Sequence, residues 1–146
     1  MIVCIDTNVL VQARAAGHSF FSILNAWVAG RFSLAVSTGI LLEYEEVITR
    51  LSGRAAWIKF ARLMDLAELT TSGVIKVTPS FRFHVISDDP DDNLFTDCAI
   101  TADADYVVTD DRHFQPLATA GYRVRPIGPQ EFVDRYQLAD IGRNMP

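Results

Sequence analysis

Two short apolar runs in this chain each stop on acid. Ile2-Val3-Cys4-Ile5 ends at Asp6, and Tyr106-Val107-Val108-Thr109 ends at Asp110-Asp111. Runs this short and apolar suit strands covered on both faces, as in a parallel sheet, rather than surface helices. Open parallel sheets bind ligands beyond the carboxyl ends of their strands. If the two strands are neighbours, Asp6 and one of the later pair share a crevice there.

The remaining pattern predicts what would surround such strands. Helices are expected over residues 9–16 and then through Phe20, Ile23, Leu24, Trp27 and Val28, whose spacing is helical and which Gly30 stops. A strand over 32–36 leads to Ser37 or Thr38, either of which can cap a helix carrying Ile40, Tyr44, Val47, Ile48 and Leu51 on one face. A helix over 55–69 and a strand over 74–77 follow, and residues 79–87 give no clear signal. Further helices are expected over 92–102, 114–118 and 130–136, with a strand over 122–125. The last ten residues read as frayed. Strands alternating with helices indicate an α/β domain of three layers, with a mainly parallel central sheet flanked by helices.

Nine aspartates fall between Asp88 and Asp111. Carboxylates at about 4–5 Å repel by roughly 3–4 kcal/mol per pair at an effective dielectric near 20. A fold that gathers several therefore holds a hard divalent cation or uses one as an acid or base. Asp92 opens the helix before the second acid-tipped strand and can reach the same sheet edge. Glu43 stands three residues after Ile40 and four before Val47, so it rides the apolar face of its helix, which suits a cleft. Each acid also has a plainer use. Asp6 could cap the helix after it, Asp91 suits an N-cap, Asp88 and Asp89 suit a solvated turn, and Asp97 an exposed helix position. Asp103, about 16 Å along the helix from Asp92, suits the surface. Asp110 suits the turn of its pair, leaving Asp111 as the ligand.

Such a site suits phosphodiester hydrolysis with Mg2+ or Mn2+, cations that carboxylates bind without help from histidine or cysteine. His18 and His84 suit surface or packing positions, whereas His113 lies close enough to touch substrate. Arg112, and after it Arg50 or Arg54, could meet a phosphate. Net charge is −5, yet eleven of the thirteen basic residues are arginine, the residue best shaped for phosphate. Cys4 and Cys98 sit in apolar stretches and read as buried reduced thiols. No apolar run reaches the ~18–20 residues of a membrane helix, so a cytoplasmic protein without membrane contact is expected.

Four segments occur in order: Ile5-Asp6-Thr7-Asn8-Val9-Leu10, Val36-Ser37 through Glu43-Tyr44-Glu45-Glu46-Val47, Asp89-Pro90-Asp91-Asp92-Asn93, and Ala104-Asp105-Tyr106-Val107-Val108-Thr109-Asp110-Asp111. Together they resemble the PIN domain, in particular the VapC-like toxins of prokaryotic toxin–antitoxin systems. The resemblance runs to about Phe132. It implies one PIN-like domain over 1–136, a tail over 137–146, and a metal-dependent ribonuclease acting on single-stranded RNA. It implies acids at Asp6, Glu43, Asp92 and Asp111, a weaker ligand at Asp97, and support from Asn8, Ser37 and Thr109. It also implies a central first strand, homodimers, and a small antitoxin partner.

Two other classes compete. One is a PIN fold kept for partner binding with little catalysis. The other is a phosphatase or phosphotransfer protein with Asp6 as nucleophile, which wants a second Asp where Asn8 stands.

Overall fold

The computed structural model describes residues 1–87 and 90–143; the turn expected at Asp88 and Asp89 lies outside them. Among the described residues five strands form one sheet: β1 (Ile2–Ile5), β2 (Ser33–Val36), β3 (Val74–Lys76), β4 (Tyr106–Val108) and β5 (Arg125–Ile127). All neighbouring pairs are parallel, in the order β3-β2-β1-β4-β5. The sheet is thus wholly parallel. β1 is central, and Ile5 pairs with Val108, so the two acid-tipped strands are neighbours. The chain builds outward from β1 in one direction and then the other, which puts a switch point between β1 and β4 and opens a crevice at their carboxyl ends. Val3, Cys4, Ile5, Val107 and Val108 are fully buried, as strands covered on both faces must be.

Among the described residues six α-helices flank the sheet: α1 (Thr7–Ala13), α2 (Phe21–Val28), α3 (Thr38–Ser52), α4 (Arg54–Thr71), α5 (Asn93–Thr101) and α6 (Pro129–Arg135). This is the three-layer α/β arrangement expected. Gly53 separates α3 from α4 with φ +89°, a conformation that costs other residues far more than glycine. α5 packs across β1, β2 and β4. It comes so close to α3 that a Cβ on Gly39 would lie 2.6 Å from Leu94 Cδ1. Cys4 and Cys98 are buried and unbridged.

Three expectations shift. The last strand is Arg125–Ile127, not 122–125. It contains Pro126, which an edge strand tolerates because one side of its backbone needs no ladder partner. The short helix expected over 114–118 is a longer 3-10 helix, Arg112–Thr119, with Pro116 inside it. Fraying does not begin at residue 137: Leu138–Arg143 winds into a 3-10 helix that packs on α2, and Leu138 is only 1% exposed. Among the residues whose burial is described, Leu138 is the apolar side chain that anchors that turn.

Candidate metal centre and nuclease site

Asp6 leaves β1 with its backbone still in the sheet, its N–H donating to the Val108 carbonyl at 3.0 Å. It stands at the N-cap position of α1, but its side chain makes no capping hydrogen bond. Oδ2 accepts instead from the Thr109 hydroxyl at 2.9 Å. The same hydroxyl oxygen accepts the Asp111 N–H at 3.0 Å, so Thr109 ties the acid after one strand to the acid after its neighbour. The capping use of Asp6 gives way to this cross-strand bond.

Asp6 is 6% exposed. Burial raises its pKa above the usual carboxylate value; the Thr109 hydrogen bond opposes the rise, and the negative charges of Asp111 and Glu43 add to it. Both charges therefore act at the same place, although β4 and α3 deliver them separately. Glu43 is set by two ties. Its Oε2 accepts the Thr7 hydroxyl at 2.9 Å, and the adjacent Tyr44, fully buried, donates its hydroxyl to the Ile5 carbonyl. Ser37 starts α3 by accepting the Ile40 N–H at 3.3 Å. Ser37 thus caps the helix that carries Glu43.

Asp111 caps the 3-10 helix after β4, its Oδ1 accepting the His113 N–H at 2.9 Å. That turn brings the His113 ring back over the carboxylates. Nδ1 lies 3.3 Å from Asp111 Oδ1 and 4.0 Å from Asp92 Oδ2. One ligand atom from each of Asp92, Asp111 and His113 lies within 4.8 Å of the others. His113 Nδ1 is buried and has no hydrogen-bond partner among the described residues. An orphaned ring nitrogen facing two carboxylates is a donor set that fits a hard or borderline divalent cation. Sequence reasoning placed His113 only as a substrate contact. The signal that could have found it is its position two residues past Asp111.

The other predicted residues fall as follows. Asn8 lines the cleft beyond Asp6, together with Gln12, Asp110 and Asp111. Asp92, rather than Asp91, takes the N-cap position of α5. Asp97 is not drawn into the three-residue group; its Oδ1 accepts the Phe83 N–H at 3.0 Å. That bond fastens the loop after β3, a task the weaker-ligand expectation did not include. Arg112 is exposed beside the site. Arg54 lies 3.7 Å from Glu45 instead. Asp103 and Asp105 are at the other end of β4, where both meet Arg123 and Asp105 also accepts the Ile2 N–H at 2.8 Å. Sequence reasoning missed Thr7, whose place between Asp6 and Asn8 was the available hint.

A parallel sheet with acids from separate segments at its switch point is an α/β architecture that can hold a ligand or cation at its strand ends. The family model for the PIN domain matches residues 2–113, and the chain belongs to that family. PIN domains are in general metal-dependent nucleases that bind divalent cations, and the donor set here is of that kind. No curated protein and no solved structure matches the chain. No helix among the described residues is long and apolar enough to cross a membrane.

Proposed function

We propose that this protein is an endoribonuclease that hydrolyses phosphodiester bonds of single-stranded RNA with Mg2+ or Mn2+. The observation that carries the reading is the gathering of acids from four segments: Thr109 ties buried Asp6 to Asp111, Thr7 beside Asp6 bonds Glu43, and Asp111 lies next to Asp92 and His113. Asp6, Asp92 and Asp111 would hold the cation, with His113 as a further donor and Glu43 as a ligand or water-positioner. When bound, the cation neutralises the clustered charge and makes a water molecule a nucleophile near neutral pH.

The chain's own groups supply the rest. Thr109 and Thr7 fix the orientation of Asp6 and Glu43 through hydroxyl hydrogen bonds, as partners behind metal-binding carboxylates commonly do. Glu43 would orient an attacking water. Arg112, exposed next to Asp111, would meet a phosphate oxygen of the substrate. Without a cation the acids repel RNA, so activity should require one. The four motifs further support a toxin of a toxin–antitoxin pair, restrained by a small antitoxin and able to dimerise.

The test is cleavage of a mixed pool of single-stranded RNA with Mn2+, with Mg2+ and with chelator, beside Asp6→Asn. Cleavage only with a divalent ion, lost in the variant, is expected. Cleavage in chelator, or undiminished cleavage by Asp6→Asn, overturns the mechanism.

A further inference from the structure

A chain with net charge −5 and an acidic centre must hold a polyanion through local features. Several arginines are occupied elsewhere: Arg123 by Asp103 and Asp105, Arg135 by Glu131, and Arg125 by backbone carbonyls. Arg82 and His84 are exposed and make no ion pair among the described residues. They sit on the segment after β3, beside Phe81, which is 73% exposed.

That segment is not loose. The Val77 N–H donates to the Val36 carbonyl at 2.9 Å, continuing the β2–β3 register past the strand. The Phe83 N–H donates to Asp97, and the Phe83 ring meets Tyr122 edge-on with centroids 5.5 Å apart. Ile86 is buried, and its N–H and carbonyl are both held by the Asn93 side chain, at 2.9 and 2.8 Å. Between these fastenings His84 takes φ +50°, a left-handed conformation uncommon outside glycine that survives where neighbouring contacts dictate it. The result is a fixed rim with Phe83 and Ile86 turned in and Phe81, Arg82 and His84 turned out.

The rim borders the proposed centre. One cleft is lined by Phe81, Arg82, Gly39, Leu94 and Asp97. The next shares Arg82, Gly39, Leu94 and Asp97, and adds His84 with the acids Glu43, Glu46 and Asp91. Together they form a trough from Glu43 to Phe81.

We propose that this trough is the track along which single-stranded RNA runs from the acidic centre, with Phe81 stacking on a base and Arg82 and His84 meeting the phosphates on either side. The inference rests on the nuclease reading above and assigns it a substrate path. An aromatic face beside cations is how proteins hold single strands without reading their sequence, because every base offers a π-face. A rigid rim loses little freedom when the strand is ordered on it.

The experiment measures anisotropy of a labelled single-stranded RNA of about 12 nucleotides with the full chain in Ca2+, alongside Mn2+-dependent hydrolysis of bis(p-nitrophenyl) phosphate. Phe81→Ala should weaken RNA binding about tenfold, while Phe81→Trp keeps it. Arg82→Ala should flatten the salt dependence of binding by about 0.7 in log–log slope, one phosphate contact on a single strand. None of the three should change hydrolysis of the small ester, which is too short to reach the rim. Wild-type binding that Phe81→Ala leaves intact, or the absence of any RNA binding, overturns the track. RNA binding that depends on Phe81 in a protein that cleaves neither RNA nor ester upholds the track and sinks the nuclease reading instead.

Discussion

The two halves of the acidic centre are built differently. Asp6 and Glu43 form an inner half, set by a sheet edge and a long helix and braced by buried or half-buried hydroxyls from Thr109, Thr7 and Tyr44. Asp92, Asp111 and His113 form an outer half, carried on 3-10 turns and partly exposed, with side-chain exposures of 15%, 31% and 37%. The inner half holds a carboxylate where water cannot easily stabilise its charge, so its geometry is fixed at an electrostatic cost. The outer half keeps solvent contact and can adjust to a cation.

The sharpest way to break this contrast is Asp6→Asn. We expect RNA cleavage to fall by at least about a hundredfold, since a charge central to cation binding is gone. The same change should stabilise the metal-free protein. Because the folded pKa of Asp6 is raised, the folded chain binds more protons than the unfolded one between the ordinary value and the raised one. Stability therefore falls as pH climbs through that window and stays lower above it. Thermal melts in chelator should coincide for wild type and variant below about pH 4, then separate, with the variant melting higher. A variant that melts lower at pH 7 would contradict the inner half's electrostatic cost.

Thr109→Val comes next. It removes the donor to Asp6 and the acceptor for the Asp111 N–H while nearly keeping shape. Cleavage or Mn2+ affinity should drop about 10–100-fold, and stability by about 1–2 kcal/mol, read by assay and denaturant titration. His113→Ala tests the outer half. Calorimetry should find Mn2+ binding about tenfold weaker, with the metal-free melting temperature nearly unchanged because the side chain is partly exposed. Unaltered Mn2+ affinity would remove His113 from the donor set. Tyr44→Phe should have the smallest effect, about 1 kcal/mol of stability from losing the hydroxyl's bond to the Ile5 carbonyl, with only a modest loss of activity as Glu43 loosens.

Legibility did not follow that division. Asp6 and Asp111 could be found because each directly ends an apolar run, and a parallel sheet brings such ends together. Glu43 could be found because an acid on the apolar face of an amphipathic helix needs a reason to be there. The rim at Phe81 to His84 gave no periodic signal. It is irregular backbone held by Asp97 and Asn93 from a helix that begins beyond it, and a side chain that bonds backbone across a loop leaves no spacing to read. Asp92 caps α5 and Asp97 lies at its middle, and only their partners separate a fastening from a member of the metal group.

By itself the sequence determined which segments bury and which acids follow them, because burial pattern and strand length are local properties of the chain. Only the tertiary structure decided that Thr109 would bridge two strand ends, that His113 would join Asp92 and Asp111, and that Asp97 would hold the rim. Those pairings join segments up to about a hundred residues apart in sequence, and their geometry exists only once the parallel sheet has placed β1 beside β4.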